Sequence, residues 1–291
     1  MTPKSRPVPA FSHGDQRRQL AVIPMPGHFL LRLAPLWLRT KLYYRFCRGK
    51  NRHPNLFHGA PLEFAPGVQM DLHPTDEGHG QIAFTGFYEL ALTRRIVQLA
   101  RQGGLLADVG ANYGYFSLLW AAQKPGNRVV AFEASPRNLV PLRANISRNG
   151  FDSPIEVRPM AAGRESGSME FDQGPENQTG WGGVVLSGNS GSSVTVPVVR
   201  LDESLAAERF VDVMKIDIEG ADTWALMGAS ALLRDKRIGR IFYEENTTRM
   251  RELGISPGEA ESFLQSLGYR VRRLDGGPGA AVSEFEAFPA A

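Results

Sequence analysis

The sequence predicts an α/β fold on a mostly parallel sheet, closed by an antiparallel last strand and preceded by an N-terminal cap of helix and short strands. Three observations carry this. Short apolar runs alternate with helical patterns from Phe84 to Leu274, which is the order of strand–helix units. The first of these runs, Leu105–Val109, ends on Gly110 and Gly114 and feeds a helix start at Tyr115. The composition, 42% hydrophobic and 22% charged over 291 residues, suits one sizeable globular core.

The chain divides into a basic arm (1–27), an N-terminal helix and small cap (28–83) and a ligand-binding α/β domain (84–291). The arm is rich in proline and charge and is expected to be disordered. Met1–Gln19 has no apolar signal core, so a cytoplasmic protein is expected, with contact at the inner membrane face an open alternative. Residues 1–60 hold 11 Lys and Arg against one acid, Asp15, and so carry +10, while the remainder carries −7. Such an arm suits an anionic lipid surface, a phosphorylated substrate or an acidic protein, or is simply solvated. One cysteine, Cys47, excludes a disulfide scaffold within the chain and a cysteine-cluster metal site.

His28–Lys50 interleaves Phe29, Leu30, Leu33, Leu36, Trp37, Tyr44 and Phe46 with Arg32, Arg39, Lys41, Arg45 and Arg48. It reads as an amphipathic helix that lies on a membrane face or packs on the core or on a partner subunit, and it is interrupted too soon to span a bilayer. Phe57–Phe84 reads as the strand-rich cap, with Val68–Leu72 and Gln81–Phe84 as strands, and Gly86–Arg101 as a helix with Leu90, Ile96, Val97 and Leu99 inward. Tyr88 or Glu89 could close over a ligand.

In the α/β domain, Tyr115–Gln123 is the first helix and Arg128–Phe132 the second strand. Ser135 is a suitable N-cap, Pro136 a first helical residue and Gly150 a stop. Ile155–Arg158 is the third strand. Gly167–Asp172 and Val194–Arg200 are further β pieces around Gln173–Ser193, a flexible glycine-rich loop carrying Trp181 and suited to covering an acceptor. Val211–Ile216 is the fourth strand, Ala221–Arg234 a helix, Gly239–Tyr243 the fifth strand, Ser256–Leu267 a helix and Tyr269–Leu274 a strand. Ser283–Phe288 alternates and supplies the antiparallel last one. Ligands belong at the switch point beside the first strand.

A strand that ends on glycines before a helix leaves free N–H groups where a polar ligand can approach. Glu133 ends the second strand, about 20 residues on, where a carboxylate accepts from both hydroxyls of an adenosine ribose. The dinucleotide fingerprint Gly-x-Gly-x-x-Gly is absent, since the spacing here is Gly110-x-x-x-Gly114. Asp108 puts negative charge where the methionyl ammonium of S-adenosylmethionine would sit, a group that NAD lacks.

Asp108–Gly114 (Asp-Val-Gly-Ala-Asn-x-Gly), Phe132–Pro136 (Phe-Glu-Ala-x-Pro), Asn145 with Asn149, and Lys215–Gly220 (Lys-Ile-Asp-Ile-Glu-Gly) together resemble the FkbM family of S-adenosylmethionine-dependent methyltransferases. Ala134 stands where that family more often has proline. The resemblance covers roughly 84–274 and implies a class I methyltransferase (Rossmann-like) fold. It also implies O-methylation of a hydroxyl on a glycan, polyketide or other natural product. By that resemblance Asp108, Gly110, Asn112 and Gly114 hold the methionyl part, Glu133 the ribose and Met160–Ala162 the adenine. Ala111, Ala134 and Asp217 lie beside them, and Ala161 is at the adenine.

Methyl transfer asks the protein to position the acceptor and take its hydroxyl proton. All six histidines precede the glycine loop. Either His73 or His79 reaches in from the cap, or the base is among Asp217, Glu219, Glu244 and Glu245 at the ends of strands four and five. Asp217, Glu219 and Glu245 are the candidates carried forward for catalysis. These acids with Asn246 also suit Mg²⁺, which would orient an acceptor oxygen, or they serve only to cap the following helices. A metal is not expected, nor is a nucleic-acid partner. The rival classes are a nicotinamide-dependent oxidoreductase, which lacks its glycine triad and a Tyr-x-x-x-Lys pair, and a non-catalytic scaffold whose basic arm binds membranes or partners.

Overall fold

The computed structural model describes residues 31–48, 54–185, 193–276 and 280–290. The arm expected to be disordered, 1–27, lies outside these residues, as does the 186–192 part of the loop 173–193. Helix α1 (Leu36–Leu42) starts after Pro35 and runs into a π-helical turn, Tyr43–Cys47. The long helix expected from His28 is therefore divided, because Pro35 cannot continue a helical ladder from residues 31–33.

The cap pairs β1 (Ala60–Pro61) with β2 (Gln69–Met70). Gln81–Phe84, expected as a strand, belongs instead to helix α2 (Glu77–Thr85). Asp76 caps it by accepting from the His79 N–H at 2.9 Å, and Gly86 ends it at φ +87°. Every residue from His79 to Thr85 is buried, so no solvent face marked the helical period. Helix α3 therefore begins at Leu90 rather than Gly86 and runs to Ala100.

Seven strands form the central sheet. In chain order these are β3 (Leu105–Val109), β4 (Arg128–Phe132), β5 (Ile155–Arg158), β10 (Val211–Ile216), β11 (Ile238–Asn246), β12 (Tyr269–Asp275) and β13 (Val282–Pro289), and their spatial order is β12-β13-β11-β10-β3-β4-β5. The pairs from β11 through β5 are parallel, and β13 runs antiparallel between β11 and β12. This is the class I methyltransferase arrangement. The order reverses between β3 and β10, so a crevice opens beside β3 at the strand carboxyl ends.

Helices α4 (Tyr115–Gln123) and α5 (Pro136–Arg148) pack with α3 and the cap on one sheet face, where Trp120 and Phe87 are fully buried. Asn145 and Asn149 fasten the cap to α5: Asn145 Oδ1 accepts from the Asp71 N–H (2.7 Å) and Asn149 Oδ1 from the Gln69 N–H (3.0 Å). On the other face lie α6 (Leu201–Ser204), α7 (Asp222–Gly228), α8 (Ser230–Arg234), and, further along, α9 (Thr247–Glu252) and α10 (Glu259–Ser266), with Leu226, Leu233 and Leu264 in the core. The single helix expected over Ala221–Arg234 breaks at Ala229, and the one expected from Ser256 starts at Glu259.

Between β5 and β10 a second sheet stands over the crevice, in the order β6 (Ala161–Ala162), β9 (Ser193–Val199), β7 (Gly167–Asp172), β8 (Gly183–Val184). Strand β11 outruns its expected end by three residues because β13 continues to pair with it, Glu245 opposite Ser283 and Asn246 opposite Val282.

Candidate active site

A cavity of about 560 Å³ opens at the carboxyl ends of β3, β4 and β10. The sheet forms its floor, β6–β8 one wall and helix α2 of the cap another. The turn after β3 is made by conformation: Gly110 (φ +82°) has no room for a Cβ, which would lie 2.0 Å from the Asp217 carbonyl oxygen. Asn112 follows at φ +51°.

Glu133 ends β4 at the cavity wall and is buried. Its Oε2 accepts from the Asn112 N–H at 2.7 Å and its Oε1 from the Ser135 N–H at 2.8 Å. Burial raises its pKa against those two bonds. The carboxylate thus holds the glycine loop to the tip of β4 while lining the cavity, and the Asn138 side chain also hydrogen-bonds it.

Asp108 does not reach the cavity wall. Its side chain turns into the protein, where Oδ2 accepts from Ser117 Oγ at 2.6 Å and Oδ1 lacks a hydrogen-bond partner. The residue that joins it to the site is Lys215, nearly fully buried on the neighbouring strand. Its Nζ lies 3.1 Å from Asp217 Oδ2, 3.3 Å from the Gly110 carbonyl and 3.9 Å from Asp108 Oδ1. Burial works against the ammonium, but Asp217, Asp108 and Glu89 outweigh it and raise its pKa, so the group stays charged. The sequence held one signal for Lys215: two residues before Asp217 on a strand, it shares that residue's face.

Around Lys215 the site is strongly acidic. Asp217, Glu219 and Glu244 line the cavity. Burial, then Asp217 and Asp222, raises Glu219 to about 8. Burial, then Asp217, raises Glu244 to about 10. Asp222 beneath them rises to about 7 by burial and Asp217, although it accepts from the Glu244 and Ile218 N–H groups. Glu219 sits at φ +55°, a strained position for a glutamate that turns the chain after β10. A small recess behind the cavity adds Glu89 and Glu284, both raised by burial.

Glu245 lies elsewhere. Because β11 continues through it, alternation puts Glu244 on the cavity and Glu245 on the opposite face, where its Oε1 accepts from the Gly258 N–H at 2.9 Å. Ala111, Ala134, Met160, Ala161 and Ala162 line the cavity, whereas Gly114 packs against Leu142. Ser135 does not cap α5 with its side chain. Among the described residues no group of three or more His, Cys, Asp or Glu is arranged to hold a metal ion.

The mouth is crossed by residues 174–185. Thr179 is buried there: its N–H and its hydroxyl both donate to Asp76 Oδ2 (2.6 and 3.0 Å), and its carbonyl accepts from Asn138 Nδ2 (2.9 Å). Asn112 Nδ2 donates to Thr179 Oγ1 at 3.2 Å, so the strap is fastened to the glycine loop, to α5 and to the cap. No local pattern marks Thr179 or Asp76, which lie far apart in sequence. Trp181 is 61% exposed on the strap and borders the cavity. His79 also borders it, but burial lowers its pKa and its Nδ1 accepts from the His73 N–H at 3.0 Å, which occupies the nitrogen a base would use.

Residues 108–271 match the methyltransferase FkbM domain. A methyltransferase FkbM from Methylobacillus flagellatus KT is 18% identical with a TM-score of 0.44, over 64% of this chain and 43% of that one. This chain thus spans less than half of that protein. Precorrin-6y C5,15-methyltransferase from Geobacter metallireducens GS-15 is 14% identical (TM-score 0.42; 68% and 88% covered). An S-adenosylmethionine-dependent O-methyltransferase from Thermotoga maritima is 13% identical (TM-score 0.43; 70% and 66%). The curated proteins contain no match.

Proposed function

The chain belongs to the FkbM methyltransferase family, and on that premise we propose that it moves the methyl group of S-adenosylmethionine to a hydroxyl of a glycan, polyketide or similar small molecule. The observation that carries this reading is the charge of the cavity. Asp217, Glu219 and Glu244 face it with Lys215 as their buried counter-ion, and Glu219 and Glu244 are raised by burial first and by the neighbouring carboxylates of Asp217 and Asp222 next. A ligand that brings positive charge relieves the repulsion among these acids.

The residues present fit the cofactor. The cavity is of the size that small-molecule sites have, about 300–1,000 Å³, the Gly110 turn admits close approach, and Glu133 offers two carboxylate oxygens at its wall. Glu133 is proposed to hold the ribose, Gly110–Asn112 and Asp217 the methionyl part, and Ala134 with Met160–Ala162 the adenine. When bound, S-adenosylmethionine supplies an electrophilic methyl group on a positively charged sulfur. Transfer of that methyl group to a hydroxyl would leave the hydroxyl proton for this chain's own residues to take. Asp217, and Glu219 and Glu244 once a cationic ligand favours their ionised forms, stand where that proton can be held, and Lys215 keeps Asp217 fixed. Glu245 drops out of this assignment, and Asp108 becomes a positioning residue for Lys215 and Ser117.

The test is isothermal titration with S-adenosylhomocysteine and with NAD, followed by screening hydroxylated acceptors with a labelled methyl donor. Micromolar binding of S-adenosylhomocysteine alone, then label in an alkali-stable ether, is the expected result. Binding of NAD alone refutes the reading, and label in an alkali-labile ester or an N-linked product refutes transfer to a hydroxyl.

A further inference from the structure

Ordinary surface helices turn charge to water and apolar groups to the core. The segment 31–48 does not. Leu31, Arg39 and Tyr43 face inward: Arg39 pairs with Glu63 at 2.7 Å, and Tyr43 packs on Phe84 and donates to the Glu77 carbonyl. The segment exposes Leu33 (65%), Trp37 (62%), Tyr44 (45%) and Phe46 (54%), half of the large exposed apolar side chains among the described residues.

The charges of this segment are all of one sign. The segment 31–48 contains no Asp or Glu. Arg32 is spent on the Pro61 and Ala83 carbonyls, Arg39 on Glu63 and Arg48 on Glu77. Among the described residues Lys41 and Arg45 rest on aromatic rings, Lys41 Nζ 5.7 Å from the Trp37 centroid and Arg45 Cζ 5.2 Å from that of Phe46. Within α1, Trp37 and Lys41 stand at i and i+4 and so share one stripe.

We propose that this face lies on an anionic lipid surface. Aromatic rings with a polar edge and long cationic side chains at one level are the groups that settle at the boundary of headgroup and acyl chain. A second copy of the chain would meet the face with the same positive charge, residues 1–60 carrying +10, whereas anionic headgroups complement it. No helix among the described residues is long and apolar enough to cross a membrane, so the contact proposed is peripheral. The segment packs on α2, which walls the cavity, so a bound membrane would lie on the outer side of that wall.

Flotation of the full-length protein with vesicles of equimolar phosphatidylcholine and phosphatidylglycerol tests this, with phosphatidylcholine vesicles alone as control. Binding to the mixed vesicles only is expected. A double variant, Lys41→Ala with Arg45→Ala, should bind them about thirty-fold more weakly, and Trp37→Ala with Phe46→Ala should also release the protein. Unchanged melting and S-adenosylhomocysteine affinity show that each variant is folded. Absence of binding to mixed vesicles, equal binding to both kinds, or wild-type binding by both double variants overturns the proposal. So does a dimer in sedimentation without lipid that Trp37→Ala dissociates, since the face would then be covered by a second copy.

Discussion

Lys215→Met removes the one buried cation of the site while keeping its shape. Lys215 Nζ is 3.1 Å from Asp217 and 3.9 Å from Asp108, and its side chain is only 4% exposed. At an effective dielectric constant of about 20 these contacts correspond to roughly 5 and 4 kcal/mol of attraction, which the desolvation of the ammonium offsets in part. The acids have an escape, because neutralising an ordinary aspartate at pH 7 costs about 4 kcal/mol, and Asp108, already raised by burial, pays less. The expected loss of stability is therefore about 3 kcal/mol, at the low end for a broken buried pair, and the melting temperature should fall by about 6–12 °C. The sign with pH is specific. Without the ammonium the acids hold protons in the folded state that the unfolded state has released, so the variant's deficit grows as pH rises from about 5 to about 8. Urea denaturation of both proteins at several pH values measures it. A variant within about 0.5 kcal/mol of the wild type at pH 8, or a deficit that shrinks with rising pH, refutes the assignment of Lys215 as counter-ion.

Three further outcomes are expected. Glu133→Ala should weaken S-adenosylhomocysteine binding by about 1.5–3 kcal/mol, the range for hydrogen bonds to a charged group, and unchanged affinity would show the ribose assignment to be wrong. Glu219 and Glu244, raised to about 8 and about 10, are protonated in the free enzyme at neutral pH. Their folded values exceed the unfolded ones, so the free protein loses stability as pH rises from about 5 to about 8 through Glu219 and on to about 10 through Glu244, and a cationic ligand favours their ionised forms. The affinity ratio of S-adenosylmethionine to S-adenosylhomocysteine should then increase between pH 6 and pH 9 on calorimetric titration, and a flat ratio would contradict the charge argument. Since Lys215 already stands as the cation among Asp217, Asp108 and Glu89, EDTA should leave turnover unchanged, and loss of turnover restored by Mg²⁺ would revive a metal role.

What the sequence by itself determined is what short stretches decide locally. The glycine turn after Val109, the acid closing β4, the helix start at Pro136 and the alternation of strands with helices are each set by backbone freedom, side-chain period and turn chemistry within a few residues. The parallel sheet with its switch point beside β3 followed from that alternation. Where neighbours in space decide, the sequence misled. Gln81–Phe84 reads as a strand because a helix buried along its length shows no polar face. Glu245 and Glu244 at the end of β11 are indistinguishable in the sequence, but β13 extends the ladder and alternation sends Glu245 away from the cavity and Glu244 to its wall. Asp108 bears the charge that its motif suggests, yet it spends it inward on Ser117 and Lys215. The latch of Thr179 on Asp76 joins residues about a hundred positions apart and exists only once the cap, the glycine loop and the second sheet have met. Charge type and turn geometry belong to the chain, whereas which way a side chain faces, and what it meets there, belongs to the packing.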